Sequence, residues 1–142
     1  MTDTLTGGCL CGRHRYEITG KPVVATHCLC SSCRRASGGT LVTWLTAHSS
    51  DFRWTTAEPA YYASTPGTRR GFCATCGTSL SFQRDDRNVE VDVGAATLDN
   101  PERITPVDHI WASDRLSWSP LAPGLPLLDK SHWHHGYPDG ED

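Results

Sequence analysis

Seven cysteines constrain this chain more than any other feature, and all of them precede Gly77. They fall into three tight groups: Cys9-Leu10-Cys11-Gly12, Cys28-Leu29-Cys30-Ser31-Ser32-Cys33, and Cys73-Ala74-Thr75-Cys76-Gly77. An odd count cannot be fully paired within one chain. C-x-C and C-x-x-C spacings suit chelation of a metal better than structural disulfides. The N-terminal Met1-Thr2-Asp3-Thr4 lacks a charged segment followed by an apolar run, so no secretory signal is read there. The expected compartment is the reducing cytoplasm, where thiols persist.

The two outer groups are alike. In each, a glycine follows the last cysteine, and a residue without a Cβ lets the backbone turn and aim its amides at thiolates. Two such knuckles supply four sulfurs, from Cys9, Cys11, Cys73 and Cys76, which close a tetrahedral structural zinc site. Cys28, Cys30 and Cys33 are left over. They can bind a second zinc through three sulfurs and leave a fourth position open, the feature that separates catalytic from structural zinc. Two zinc ions per chain are therefore expected, the second open to exchange. A histidine can instead close the trio as a Cys₃His site, with His48 and His109 as candidates. His27 is poorly placed, because neighbouring side chains on extended chain point apart. A metal-free redox or sensing trio is a further reading.

Cys33 falls near the start of a short predicted helix, where the dipole favours thiolate. Arg34 and Arg35 follow it and can hold a substrate carboxylate in a fork, or simply be solvated. A soft thiolate suits the open position on zinc. A free thiol of pKa near 8.5 is only about 3% ionised at pH 7, so enforced ionisation is worth roughly thirtyfold. A small thiol bearing carboxylates would satisfy both the trio and the arginines.

The remainder reads as a mainly β scaffold. Alternation places His14, Tyr16 and Ile18 on one face of a strand. Further strands are expected at 23–27, 40–46 (buried on both faces), 52–55, 61–64, 68–72, 78–83, 89–93 (half-buried) and 107–111. Ser31 or Ser32 is expected to cap the short helix, and Gly38-Gly39 to stop it. From Ser117 on, repeated prolines predict irregular chain. One domain over 1–129 and a surface tail over 130–142 are expected. His132, His134 and His135 fall in that tail. Trp44, Trp54, Trp111 and Trp118 can wall a pocket or pack the core. Arg69 and Arg70 are expected to be solvated. A net charge of −3 without a basic tract argues against nucleic acid, and no apolar run is long enough to span a membrane. The oligomeric state is not legible.

Three stretches together resemble the glutathione-dependent formaldehyde-activating enzyme family, which also includes centromere protein V. They are Gly8-Cys9-Leu10-Cys11-Gly12, the trio with Arg34-Arg35-Ala36-Ser37-Gly38, and Phe72-Cys73-Ala74-Thr75-Cys76-Gly77-Thr78-Ser79-Leu80-Ser81-Phe82. Val93 to Pro101 and His109-Ile110-Trp111 match more softly. The resemblance implies a β-tent fold of two small stacked sheets with zinc knuckles and one short helix. It implies structural zinc on Cys9, Cys11, Cys73 and Cys76, and a second zinc at Cys28, Cys30 and Cys33 near which glutathione binds. The implied reaction is that of a carbon–sulfur lyase joining formaldehyde and glutathione. One position departs from the pattern: where the family often has histidine, this chain has Leu29, so any proton-transfer role of that histidine has no counterpart there. The alternative function is a non-catalytic zinc-binding module that holds a small thiol or a protein partner.

Overall fold

The computed structural model describes residues 4–131. His132, His134 and His135, and with them 132–142 of the expected tail, lie outside the described residues. The described strands are β1 (Leu5–Gly8), β2 (Arg15–Ile18), β3 (Val24–Cys28), β4 (Val42–His48), β5 (Phe52–Trp54), β6 (Ala60–Tyr62), β7 (Thr68–Phe72), β8 (Ser79–Arg84), β9 (Glu90–Gly94) and β10 (His109–Ile110). Among the described residues a single α-helix, α1 (Ser31–Ser37), follows β3. The protein is mainly β, with two sheets and no closed barrel among the described residues. No described helix is long and apolar enough to cross a membrane. The chain divides into two compact units. One takes the chain up to Ala25 with Trp44–Thr105, the other Thr26–Thr43 with the chain from Pro106 on.

In the first unit, β1, β2 and β5 form an antiparallel sheet with Leu5 opposite Ile18 and Tyr16 opposite Trp54. Five further strands run β4-β9-β8-β7-β6, each antiparallel to its neighbour. Leu5, Tyr16 and Ile18 from the small sheet share one buried cluster with Leu45, Ala47, Val91 and Val93. Period-two side chains on facing sheets make such a core. His14, Tyr16 and Ile18 are all buried, as their alternation predicts. Trp44, Leu45, Thr46 and Ala47 are buried in succession, so β4 is covered on both faces.

Two charged side chains depart from expectation. Glu90 opens β9 and should face solvent, yet it is buried and paired with Arg87 at 2.7 Å. Arg70 is also buried. Its guanidinium lies 4.7 Å from the Phe82 ring centroid, and its Nε donates to Ser64 Oγ at 3.1 Å. In both, the departure comes from a specific partner, because a paired or ring-stacked charge tolerates burial.

Arg15 of β2 ties the first sheet to the turn after β9. Its Nη1 donates to Asp99 Oδ1 at 2.9 Å, and the Thr6 hydroxyl donates to Asp99 Oδ2 at 2.6 Å. These two partners, Arg15 first, hold the Asp99 carboxyl down at about 2. Both ends of the ion pair are partly exposed, so its coupling is expected to be about 0.5–1 kcal/mol. A carboxyl depressed by folding contributes fully above its unfolded pKa of about 3.9 and loses that contribution only as pH falls toward the folded value. A double-mutant cycle with Arg15→Gln and Asp99→Asn should therefore give the same coupling at pH 7 and pH 5.

In the second unit, β10 pairs in parallel with the end of β3, His109 beside His27 and Ile110 beside Cys28. The proline-rich chain returns along β10: the His109 amide donates to Pro126 O at 2.9 Å, and the Leu128 amide to His109 O at 2.8 Å. Trp111, with a φ of 56°, carries the chain out of β10. The cap of α1 is Cys30, one residue before the expected serines, and its Sγ accepts the Cys33 amide at 3.3 Å. Gly38 ends the helix as predicted, at φ 78° with its amide on Arg34 O at 2.7 Å. A left-handed residue here is cheap only for glycine.

Candidate metal centres

The first centre is assembled inside the first unit. Cys9 and Cys11 leave β1, while Cys73 and Cys76 sit between β7 and β8. The four Sγ atoms lie within 4.8 Å of one another. Cys9 Sγ is 3.6 Å from Cys11 Sγ, which is 3.8 Å from Cys73 Sγ. A tetrahedron with Zn–S bonds of about 2.3 Å has edges of about 3.8 Å, so these sulfurs are spaced as a zinc ion requires. None of the seven cysteines is in a disulfide.

Both knuckles aim donors at sulfur. The His14 amide donates to Cys9 Sγ and the Cys76 amide to Cys73 Sγ, each at 3.3 Å. Gly12 and Gly77, at φ 80° and 83°, make the turns that the spacing predicts. The Thr78 hydroxyl, 3.2 Å from Cys76 Sγ, and then the Thr78 amide draw that thiol down to about 5. Cys9, Cys73 and Leu80 form a small buried cluster backed by Trp54, while Cys11 is exposed. The site is covered on its protein side and closed by four donors.

The second centre is assembled inside the second unit from the end of β3 and the start of α1. The sulfurs of Cys28, Cys30 and Cys33 also lie within 4.8 Å of one another. Cys28 and Cys33 are buried and Cys30 is half-buried. Hydrogen bonding to Cys30 and Cys33, followed by burial, pushes the Cys28 thiol well above its ordinary range. Three clustered thiols resist losing all their protons, and a divalent cation supplies the charge that reverses this. The donor set fits a soft ion such as zinc with three sulfurs.

Among the described residues, no histidine or carboxylate joins the three sulfurs in that cluster. His109 is fully engaged elsewhere. Its Nε2 accepts the Ala122 amide at 3.1 Å, which leaves the proton on Nδ1, 3.2 Å from Pro126 O. His27 stacks on it with centroids 5.2 Å apart, and its Nδ1 lies 2.8 Å from Thr43 Oγ1. His48 ends β4 in the first unit and is exposed. Leu29 is completely buried between two of the trio's cysteines.

Beside α1, in the same unit, lies a cleft of about 230 Å³ whose lining includes Arg34, Arg35, Thr40, Leu116 and Trp118. Arg34 Nε is buried there without a hydrogen-bond partner. Of the tryptophans weighed as pocket walls, Trp118 lines this cleft and is 71% exposed, whereas Trp44 is buried and Trp54 packs against the core. No local sequence pattern marks Leu116 or Thr40 as lining residues.

A sequence profile of the glutathione-dependent formaldehyde-activating enzyme family matches residues 4–114. A solved structure of a Rhodobacter sphaeroides protein is similar, with a TM-score of 0.57 at 24% identity, over 86% of this chain and 98% of that one. At that identity the likeness concerns the fold. No curated protein matches the chain.

Proposed function

The chain belongs to the glutathione-dependent formaldehyde-activating enzyme family, and on that premise we propose that it is a zinc-dependent carbon–sulfur lyase acting on glutathione or a related thiol adduct in the cytoplasm. The observation that carries this reading is the unequal pair of cysteine clusters, one with four sulfurs and one with three. Cys9, Cys11, Cys73 and Cys76 would hold a structural zinc. Cys28, Cys30 and Cys33 would hold a second, exchangeable zinc. When bound, that ion supplies Lewis acidity and favours the thiolate form of a neighbouring thiol.

The residues of the chain divide the remaining work. The Cys33 amide donates to Cys30 Sγ, which orients that donor and stabilises its thiolate form. Buried Leu29 and Cys28 keep one side of the trio dry, which strengthens every charge interaction there. Arg34 and Arg35 would hold the carboxylate of the thiol. In the synthetic direction the substrate thiol gives up its proton, and its sulfur forms a bond to the aldehyde carbon. The carbonyl π pair moves to oxygen, which takes a proton, so nothing is oxidised or reduced. Lysis of the adduct is the reverse.

Leu29 favours a second reading, since the trio has no imidazole between its first two cysteines. In that reading the protein binds zinc and a small thiol without turning over an adduct. Proton NMR of formaldehyde and glutathione with the purified protein separates the two. Lyase function predicts that S-hydroxymethylglutathione reaches equilibrium faster than in protein-free buffer. An unchanged rate, with zinc present at the trio, supports the binding module instead.

A further inference from the structure

The cleft beside α1 carries more information than an anion site alone requires. Neither guanidinium has a hydrogen bond or ion pair among the described residues, and Arg34 Nε is buried besides. A guanidinium with no carboxylate beside it keeps its forked outer donors for a bidentate contact with an anion. In the lining of the same cleft the fold leaves Trp118 71% exposed, and Leu116 lines it as well. An aliphatic carboxylate would need the arginines but has no use for an indole face. A flat π system does, because offset and edge-to-face ring contacts add to simple apolar burial.

Size and place narrow the occupant. A cleft of about 230 Å³ is smaller than the roughly 300–1,000 Å³ that takes a whole drug-sized ligand, so it suits one end group. Arg34 and Arg35 follow Cys33 directly in α1, so the end group they would hold belongs to the same substrate that reaches the trio.

We propose that this cleft is a subsite for a planar carboxylate, an aryl or conjugated acid, with its carboxylate on Arg34 and Arg35 and its flat body on Trp118. The proposal rests on the reading of Arg34 and Arg35 as anion-holding residues, and it makes Trp118 the residue that sets specificity for that end group. The preferred substrate is then an adduct carrying such a group, and an adduct with only aliphatic carboxylates leaves the indole unused.

The test is an NMR titration of the zinc-loaded full chain with benzoate and with cyclohexanecarboxylate, two acids alike in charge and differing in flatness. Benzoate is expected to bind about three- to tenfold more tightly. Trp118→Ala, at an exposed position, should erase that preference while leaving weak binding of both acids. Equal affinities in the wild type, a preference that survives Trp118→Ala, or no binding of either acid overturns the proposal. If Arg34→Gln and Arg35→Gln each bind benzoate as the wild type does, the reading of the arginines fails. Adduct formation assayed on the same preparations reports the trio independently, so loss of the planar preference with turnover retained sinks this subsite alone.

Discussion

A Cys73→Ser chain is expected to lose its cooperative thermal transition. Cys73 is completely buried, its sulfur belongs to the four-thiol cluster, and Leu80 packs beside it. Structural zinc contributes roughly 10–16 kcal/mol of apparent binding free energy in small zinc-folded units. The whole net stability of a domain is about 5–15 kcal/mol. Serine offers a harder, poorer donor, so even partial loss of that binding rivals all the stability available. Circular dichroism and calorimetry on the variant, with wild type treated with a strong chelator as the parallel case, should both show the folded signal lost. Cooperative melting of Cys73→Ser near the wild-type temperature would mean that the outer cysteines do not hold the fold together.

Cys30→Ser should behave in the opposite way, keeping the fold and losing the chemistry. Cys30 caps α1 by accepting the Cys33 amide. Serine is among the best residues at that position, so the helix keeps its start. The three-sulfur cluster, however, loses one of its donors. Adduct formation should fall by at least about thirtyfold, the thiolate advantage that the trio would otherwise supply at neutral pH. The thermal midpoint should move by only a few degrees, which corresponds to about 1 kcal/mol for a chain of this size. A Cys30→Ser protein that forms the adduct at the wild-type rate would remove the trio from the mechanism.

These two variants separate what the sequence reveals from what it hides. The cysteine clusters are legible because each knuckle is local: two donors, a short spacer and a glycine at positive φ are all contiguous. Their partition into four and three follows from counting. Strand positions such as Tyr16, Ile18, Val91 and Val93 are legible because period two sorts a strand's side chains by face. Glu90 breaks that pattern because its environment depends on Arg87, whose covering side chain alternation does not encode. Arg70 likewise depends on Phe82 across the β7–β8 pair. The cap of α1 shifts to Cys30 because the thiol, uncommon as a cap, is already held at the turn by the trio.

The engagement of His109 is hidden for a further reason. Both of its ring partners, at Ala122 and Pro126, come from proline-rich chain that carries no regular secondary structure to predict. The same chain brings Trp118 to α1 and so creates the cleft. Contacts made by irregular, returning chain leave no periodic trace, and the cleft is therefore legible only in its arginines.

Zinc per chain tests most directly whether the seven cysteines form one closed and one open zinc site. The count should be made on wild type and on Cys30→Ser, with and without glutathione. Two zinc ions are expected in the wild type and one in the variant, and a wild-type count that falls when glutathione is added marks the second ion as exchangeable. One zinc in both proteins would contradict the two-site reading.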